Sequence, residues 1–135
     1  MRAEQIDQVT LSVKDLEQSV EFFGDMLGIT FAEPIEAEVG GRKVRFAFSN
    51  IGIGLAQEEP PGEEGVRALG LKVDDVDGLK AKMDALGMEP LNHIQEPLKE
   101  VQYRIGGVRF NFGEYQGAPV PNRALSLLLK RMDLI

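Results

Sequence analysis

The sequence predicts an α+β fold of two tandem βαβββ modules that form a cupped mixed sheet with helices on the convex face. Three observations predict it. A strand pattern followed by a capped, amphipathic helix occurs twice. A Gly-Gly hairpin turn recurs at matching places, Gly40-Gly41 and Gly106-Gly107. A charged, Pro/Gly-rich linker, Glu58-Glu59-Pro60-Pro61-Gly62-Glu63-Glu64-Gly65, separates the copies.

In the first copy, Val9-Thr10-Leu11-Ser12-Val13 alternates apolar and polar residues, as a half-buried strand does. Asp15 with Gln18 forms a capping box. Leu16, Val20, Phe23 and Leu27 recur at helical spacing, and Gly28 ends the helix. In the second copy Leu69, Leu71 and Val73 alternate. Asp75 caps, Val76, Leu79, Met83 and Leu86 mark a buried helix face, and Gly87 closes it. The Gly40-Gly41 turn sets Glu38 opposite Lys43 and Glu36 opposite Arg45, two favourable cross-strand pairs. With Ser49-Asn50 as the next turn, Val44, Phe46, Phe48, Ile51, Ile53 and Leu55 share the helix-facing side. Val101, Tyr103, Ile105, Val108, Phe110 and Phe112 correspond to them in the second copy. The organisation expected is one domain, 1–135: a first module at 6–57, a linker at 58–65, a second module at 66–115 and a tail at 116–135 with a short helix.

The bulk numbers narrow the function. A net charge of −7, from 15 basic and 22 acidic residues, disfavours nucleic acid, because phosphate binding needs a basic surface. The chain has no cysteine, which excludes disulfides and thiol nucleophiles and fits a cytoplasmic protein. No stretch reaches the apolar length of a membrane span, so no membrane partner is expected, and the N-terminus reads directly into a strand without a signal peptide.

Strand alternation assigns the concave face. In the first module it carries Gln8, Thr10 and Ser12, then Arg45 and Ala47, then Gly52, Gly54 and Ala56. In the second it carries Ala68, Gly70 and Lys72, then Gln102 and Arg104, then Arg109, Asn111 and Gly113. So many small residues leave room for a ligand; the alternative is that helices or a partner chain fill the space. Arg104 falls opposite Arg109, a repulsive pair that needs an anionic ligand or a neighbour such as Glu100 or Glu114. His93, the one histidine, is the candidate acid–base; by the repeat it shares the face of Gln102. The alternative is a half-buried polar side chain with no chemistry. The candidate substrate-binding residues are Gln8, Thr10, Arg45, Gln102, Arg104, Arg109 and Asn111.

Ile6-Asp7-Gln8-Val9-Thr10-Leu11-Ser12-Val13-Lys14-Asp15-Leu16, then Ser19-Val20-Glu21-Phe22-Phe23 and Leu27-Gly28, resembles the opening of vicinal oxygen chelate proteins, the glyoxalase, bleomycin-resistance and extradiol-dioxygenase superfamily. The resemblance runs from residue 6 to about 115. It implies paired βαβββ modules, a small-molecule ligand in the cup and a homodimer. In metal-dependent members it implies four ligands, whose positions fall here on Gln8, Gly54, Ala68 and Asn111. None is a histidine or carboxylate, so neither a metal nor another cofactor is expected, and lactoylglutathione lyase and ring-cleaving dioxygenase activities are disfavoured. The usual Asp-Pro-Asp-Gly turn is replaced by Ile105-Gly106-Gly107-Val108, which points to a divergent branch.

Two functions compete. One is a metal-independent isomerase or lyase acting on a small organic acid or carbonyl compound, with Arg104 and Arg109 on the anion, Gln8 and Asn111 on an oxygen and His93 moving the proton. The other is a non-catalytic protein that sequesters a drug or metabolite, as bleomycin-resistance members do. A third reading is a structural module whose cup is filled by its own tail. That tail, from Ala124 to Met132, reads as a short helix that packs on the body or across a dimer interface, or else forms a flap over the pocket.

Overall fold

The alternating run at Val9–Val13 belongs to a longer strand, β1 (Ala3–Ser12). Helix α1 (Leu16–Leu27) starts where Asp15 accepts the Gln18 N–H at 3.0 Å. It stops at Gly28, whose φ of 65° lets its N–H reach the Gly24 carbonyl at 3.0 Å. The strands β2 (Ile35–Val39), β3 (Arg42–Phe48) and β4 (Ile53–Glu59) follow. The second copy supplies β5 (Gly65–Val73), α2 (Val76–Ala85), β6 (Asn92–Ile94), β7 (Lys99–Ile105) and β8 (Val108–Glu114), and a further helix, α3 (Arg123–Arg131), follows. Asp75 caps α2 through the Gly78 N–H at 2.9 Å, repeating the role of Asp15. The computed structural model describes residues 1–131; Met132, expected in the tail helix, lies outside the described residues. Among the described residues no helix is long and apolar enough to cross a membrane.

The chain divides into two units, Gln8–Arg67 and Met1–Asp7 with the chain from Ala68 onward. In the first unit the strand order is β2-β3-β4-β1, with β1 and β4 parallel and the rest antiparallel. Its core is Leu16, Ala47 and Leu55, packed with Leu11, Val13, Val20, Phe23 and Phe31. In the second unit the order is β5-β8-β7-β6, with β5 and β8 parallel. There Val76 and Leu79 of α2 meet Val73, Val101, Tyr103 and Phe112. Each unit is thus a sheet with a helix packed on one face, the βαβββ architecture that the repeat predicts.

Both Gly-Gly hairpins have the predicted register, with Glu36 opposite Arg45, Glu38 opposite Lys43 and Arg104 opposite Arg109. Gly106 and Gly107 have φ of 60° and 79°, the left-handed values of a type I′ turn that matches strand twist. The β3–β4 connection differs from expectation. Phe48 pairs with Gly54 and not with Ile51. Ser49 closes a longer loop: its N–H reaches the Ile53 carbonyl at 2.9 Å, and its hydroxyl accepts the Ile51 and Ile53 N–H groups at 3.3 and 3.1 Å. An odd-numbered slip exchanges the faces of a strand. Arg45 and Ala47 therefore lie on the α1 side, and Val44, Phe46 and Phe48 on the side away from it.

Candidate functional site

The face of each sheet turned away from its βαβββ helix carries the candidate residues. In the first unit Thr10 pairs with Gly54 and Ser12 with Ala56, as alternation predicts. Gln8 and Thr10 are buried, and the Gln8 side-chain amide donates to the Thr10 hydroxyl. The room expected above the small residues is taken by Phe48: a methyl at Gly54 would lie 2.9 Å from its Cδ1. Phe46 stacks on Phe48 with ring centroids 5.7 Å apart, and the Arg67 guanidinium sits 5.9 Å over Phe46 while bonding Glu58 at 2.6 Å. The face is aromatic because of the β3 slip.

That slip also corrects Arg45. Expected to face a ligand, it pairs with Glu17 of α1 on the helix side. His93 is corrected for a related reason. It stands opposite Val101, a core residue under α2, whereas Asn92 stands opposite Gln102. The two modules therefore do not keep one constant offset through their middle strands. His93 shares the α2 side, and its Nε2 lies 2.8 Å from the Gln95 side-chain amide.

In the second unit the face away from α2 is polar. Opposed pairs of β7 and β8 bring together Glu100 with Gly113, Gln102 with Asn111, and Arg104 with Arg109. On β5, Lys72, Gly70 and Ala68 lie beside Gly113, Asn111 and Arg109 in turn. Four sequence-predicted residues, Gln102, Arg104, Arg109 and Asn111, thus share one surface. Arg104 is exposed at the turn end and donates to the Gly107 carbonyl at 3.2 Å. The Asn111 Oδ1 is buried without a hydrogen-bond partner.

Glu100, considered in the sequence only as a neighbour for the Arg pair, is the principal addition. It is 3% exposed, and its Oε2 accepts the Gln102 amide at 2.7 Å. Burial raises its pKa to about 7, against the lowering effects of the Gln102 hydrogen bond and the Arg109 charge, while the Asp7 charge raises it further. Such a carboxyl is divided between its acid and base forms near neutrality. Its signal was present in the sequence: Glu100-x-Gln102-x-Arg104 has the period of two that puts all three on one face. Glu114, the other acidic neighbour considered, accepts the Val76 N–H at 2.8 Å at the start of α2.

Further buried charges flank this face. Lys72 is 6% exposed, donates to Glu4 at 2.7 Å and stands 5.3 Å over the Tyr115 ring. The Tyr115 hydroxyl donates to Asp7 at 2.7 Å. Burial pushes the Asp7 carboxyl above its ordinary range; burial first, then the bond to Asp7, pushes the Tyr115 phenol up.

The residues at the four family ligand positions do not fit a metal. Gly54 and Ala68 have no ligating side-chain atom, and Gln8 and Asn111 each offer one neutral amide oxygen. Among the described residues no three His, Cys, Asp or Glu side chains come together as a metal site would require.

Comparison with known structures gives the same fold at low identity. A 4-hydroxymandelate synthase variant from Streptomyces coelicolor matches with a TM-score of 0.67 and 17% identity, over 97% of this chain and 54% of its own, so this chain spans about half of it. A methylmalonyl-CoA epimerase from Mycobacterium tuberculosis matches at 0.56 and 18%, covering 89% of this chain and 91% of its own. A halotolerant catechol dioxygenase matches at 0.59 and 16%, over 87% of this chain and 44% of its own. Comparison with curated protein sequences gives no match. The family model described as Glyoxalase/Bleomycin resistance protein/Dioxygenase superfamily matches residues 5–105, and the chain, with its paired βαβββ units, belongs to that superfamily.

Proposed function

We propose that this protein is a metal-independent isomerase or lyase acting on a small organic acid or carbonyl compound, with Glu100 as its proton carrier. The observation that carries the reading is the buried Glu100 carboxyl, poised near neutrality and held by Gln102 on a face shared with Asn111 and Arg109.

In this reading the Glu100 carboxylate takes the proton from a carbon next to the substrate carbonyl. The electron pair moves onto the carbonyl oxygen, and amide N–H groups and guanidinium charge on the same face stabilise the resulting enolate. The Glu100 carboxylic acid then delivers the proton to a different carbon of the delocalised anion, which gives the isomer; loss of a leaving group from the enolate, which takes that proton, gives the lyase outcome. Arg104 and Arg109 hold the substrate's anionic group, and the free Asn111 acceptor takes a substrate hydroxyl. His93 and Arg45 have no part, since both lie on the helix side of their sheets. A homodimer belongs to the same proposal. Phe22, Met26 and Leu27, exposed on α1, offer apolar surface for a second copy, and light scattering on the purified protein reads the mass.

The runner-up is sequestration of a planar drug or metabolite. The stacked Phe46–Phe48 pair and the Arg67 guanidinium favour it, because a flat ligand stacks on such a surface.

A thermal-shift screen separates the two, since a ligand that binds the folded state raises the midpoint. Small carboxylates and phosphates are compared with planar and cationic drugs, each with and without divalent metal. The proposal expects stabilisation by an organic anion, lost in Arg104→Ala and independent of metal. Stabilisation by planar compounds alone, lost in Phe46→Ala, favours sequestration. A large shift from metal alone overturns the metal-independent reading.

A further inference from the structure

Glu100 cannot meet a substrate in the conformation described, because its side chain is almost fully covered. Helix α3 comes near it at Gly113, which stands opposite Glu100 on the neighbouring strand and so shares its face. A methyl at Gly113 would lie 3.2 Å from the Ala124 Cβ, 3.5 Å from the Leu98 Cδ1 and 3.8 Å from the Glu100 Oε1. Helix α3 therefore rests on the polar face of the second unit, opposite α2. It seats at the one position on that part of β8 where no side chain intervenes, directly beside the carboxyl.

The attachment of α3 is uneven. The leash before it is tied at both ends to Asp7, whose side chain accepts the Tyr115 hydroxyl at 2.7 Å and whose carbonyl accepts the Asn122 N–H at 3.0 Å. Asn122 then adopts a φ of 59°, a left-handed bend at the entry to the helix. Beyond it, Ala124, Leu125, Leu127 and Leu129 each stay only partly buried. A short helix with no fully buried side chain among those described, joined to a well-tied leash by a sharp bend, is the kind of element that opens locally while the rest stays folded.

We propose that α3 is a lid that swings about Asn122 to expose Glu100 and closes over it by seating Ala124 on Gly113. Its role in turnover rests on the function proposed above; the motion itself does not. The absence of native cysteine permits a direct test. Gly113→Cys with Ala124→Cys places two Cβ atoms a few tenths of an ångström inside the usual disulfide spacing, so a small shift of α3 closes the bond. Access is read by labelling carboxyls with a water-soluble carbodiimide and glycine ethyl ester at about pH 6, with Glu100 followed by peptide mass spectrometry. The lid predicts that the reduced protein is labelled at Glu100, that the oxidised protein is labelled roughly tenfold more slowly or less, and that added reductant restores the rate. Equal rates in the two forms, or no labelling in either, overturn it.

The unaltered chain gives an independent readout should the double variant misfold. Amides of α3 should exchange with deuterium faster than those of β7 and β8, and equal protection counts against the lid. Neither experiment uses a substrate. A failure of the proposed function therefore appears as a ligand that is bound but unchanged, while a failure of the lid appears as unchanged access to Glu100.

Discussion

Gln102 holds Glu100 from two residues along the same strand, its side-chain amide 2.7 Å from the carboxyl oxygen. That N–H favours the charged carboxylate, but burial outweighs it and raises where the group titrates.

The titration has a consequence for stability. The folded-state pKa of Glu100 is raised from 4.5 to about 7, so folding favours the protonated form. Its contribution is complete below about pH 4.5 and is lost as pH rises through about 7, at a cost of about 3 kcal/mol to the folded state. Denaturant titrations at about pH 5 and about pH 8 should show this loss in the native chain. In Glu100→Gln the difference should shrink. A native chain equally stable at both values, with no other group compensating, would contradict the burial of this carboxyl.

Gly54 lacks a side chain because Phe48 occupies the space. A methyl there would meet the ring at 2.9 and 3.0 Å and the Thr10 hydroxyl at 3.2 Å. Gly54→Ala should destabilise by about 1–3 kcal/mol, the usual range for overpacking. The loss should be largely relieved when Phe48→Ala is added, which a two-by-two denaturation cycle measures.

Tyr103 is fully buried between β7 and α2, and its hydroxyl has no hydrogen-bond partner. Removing an unsatisfied buried hydroxyl spares its desolvation cost. Tyr103→Phe should therefore leave stability unchanged or raise it by roughly 1 kcal/mol. A clear loss in chemical denaturation would reveal a partner for that oxygen.

His93→Asn and Arg45→Gln should leave ligand affinity as it is, because both side chains lie on helix-facing sides. Arg104→Ala, on the polar face, should weaken binding of an organic anion. Isothermal titration with the anion that gives the largest thermal shift separates these outcomes.

The fold was legible where local chemistry repeats. Asp15 and Asp75 announced two helix starts, and Gly40-Gly41 and Gly106-Gly107 set two hairpins in register. The shared face of Gln102, Arg104, Arg109 and Asn111 was legible on β7 and β8 because alternation counted from a two-residue turn leaves no freedom. The facing of β3 was not legible, because a two-residue Ser49-Asn50 turn and the longer loop closed by Ser49 are both compatible with the sequence pattern. The choice between them turns a strand over. That ambiguity concealed the aromatic face and put Arg45 on the wrong side. His93 was misplaced because the repeat was carried through a three-residue strand, β6, too short to show its own alternation. The seating of Ala124 beside Gly113 depends on where the tail packs, and no periodicity in the strands encodes that contact.

The most direct test of the central claim follows one proton. The organic anion that best stabilises the protein is incubated in deuterium oxide with protein freed of metal by EDTA, and its NMR spectrum is followed. The signal of the C–H next to the carbonyl should decay with the native chain, persist with Glu100→Gln, and be indifferent to added divalent metal. A bound compound that keeps its proton, or exchange that appears only when metal is restored, would contradict that claim.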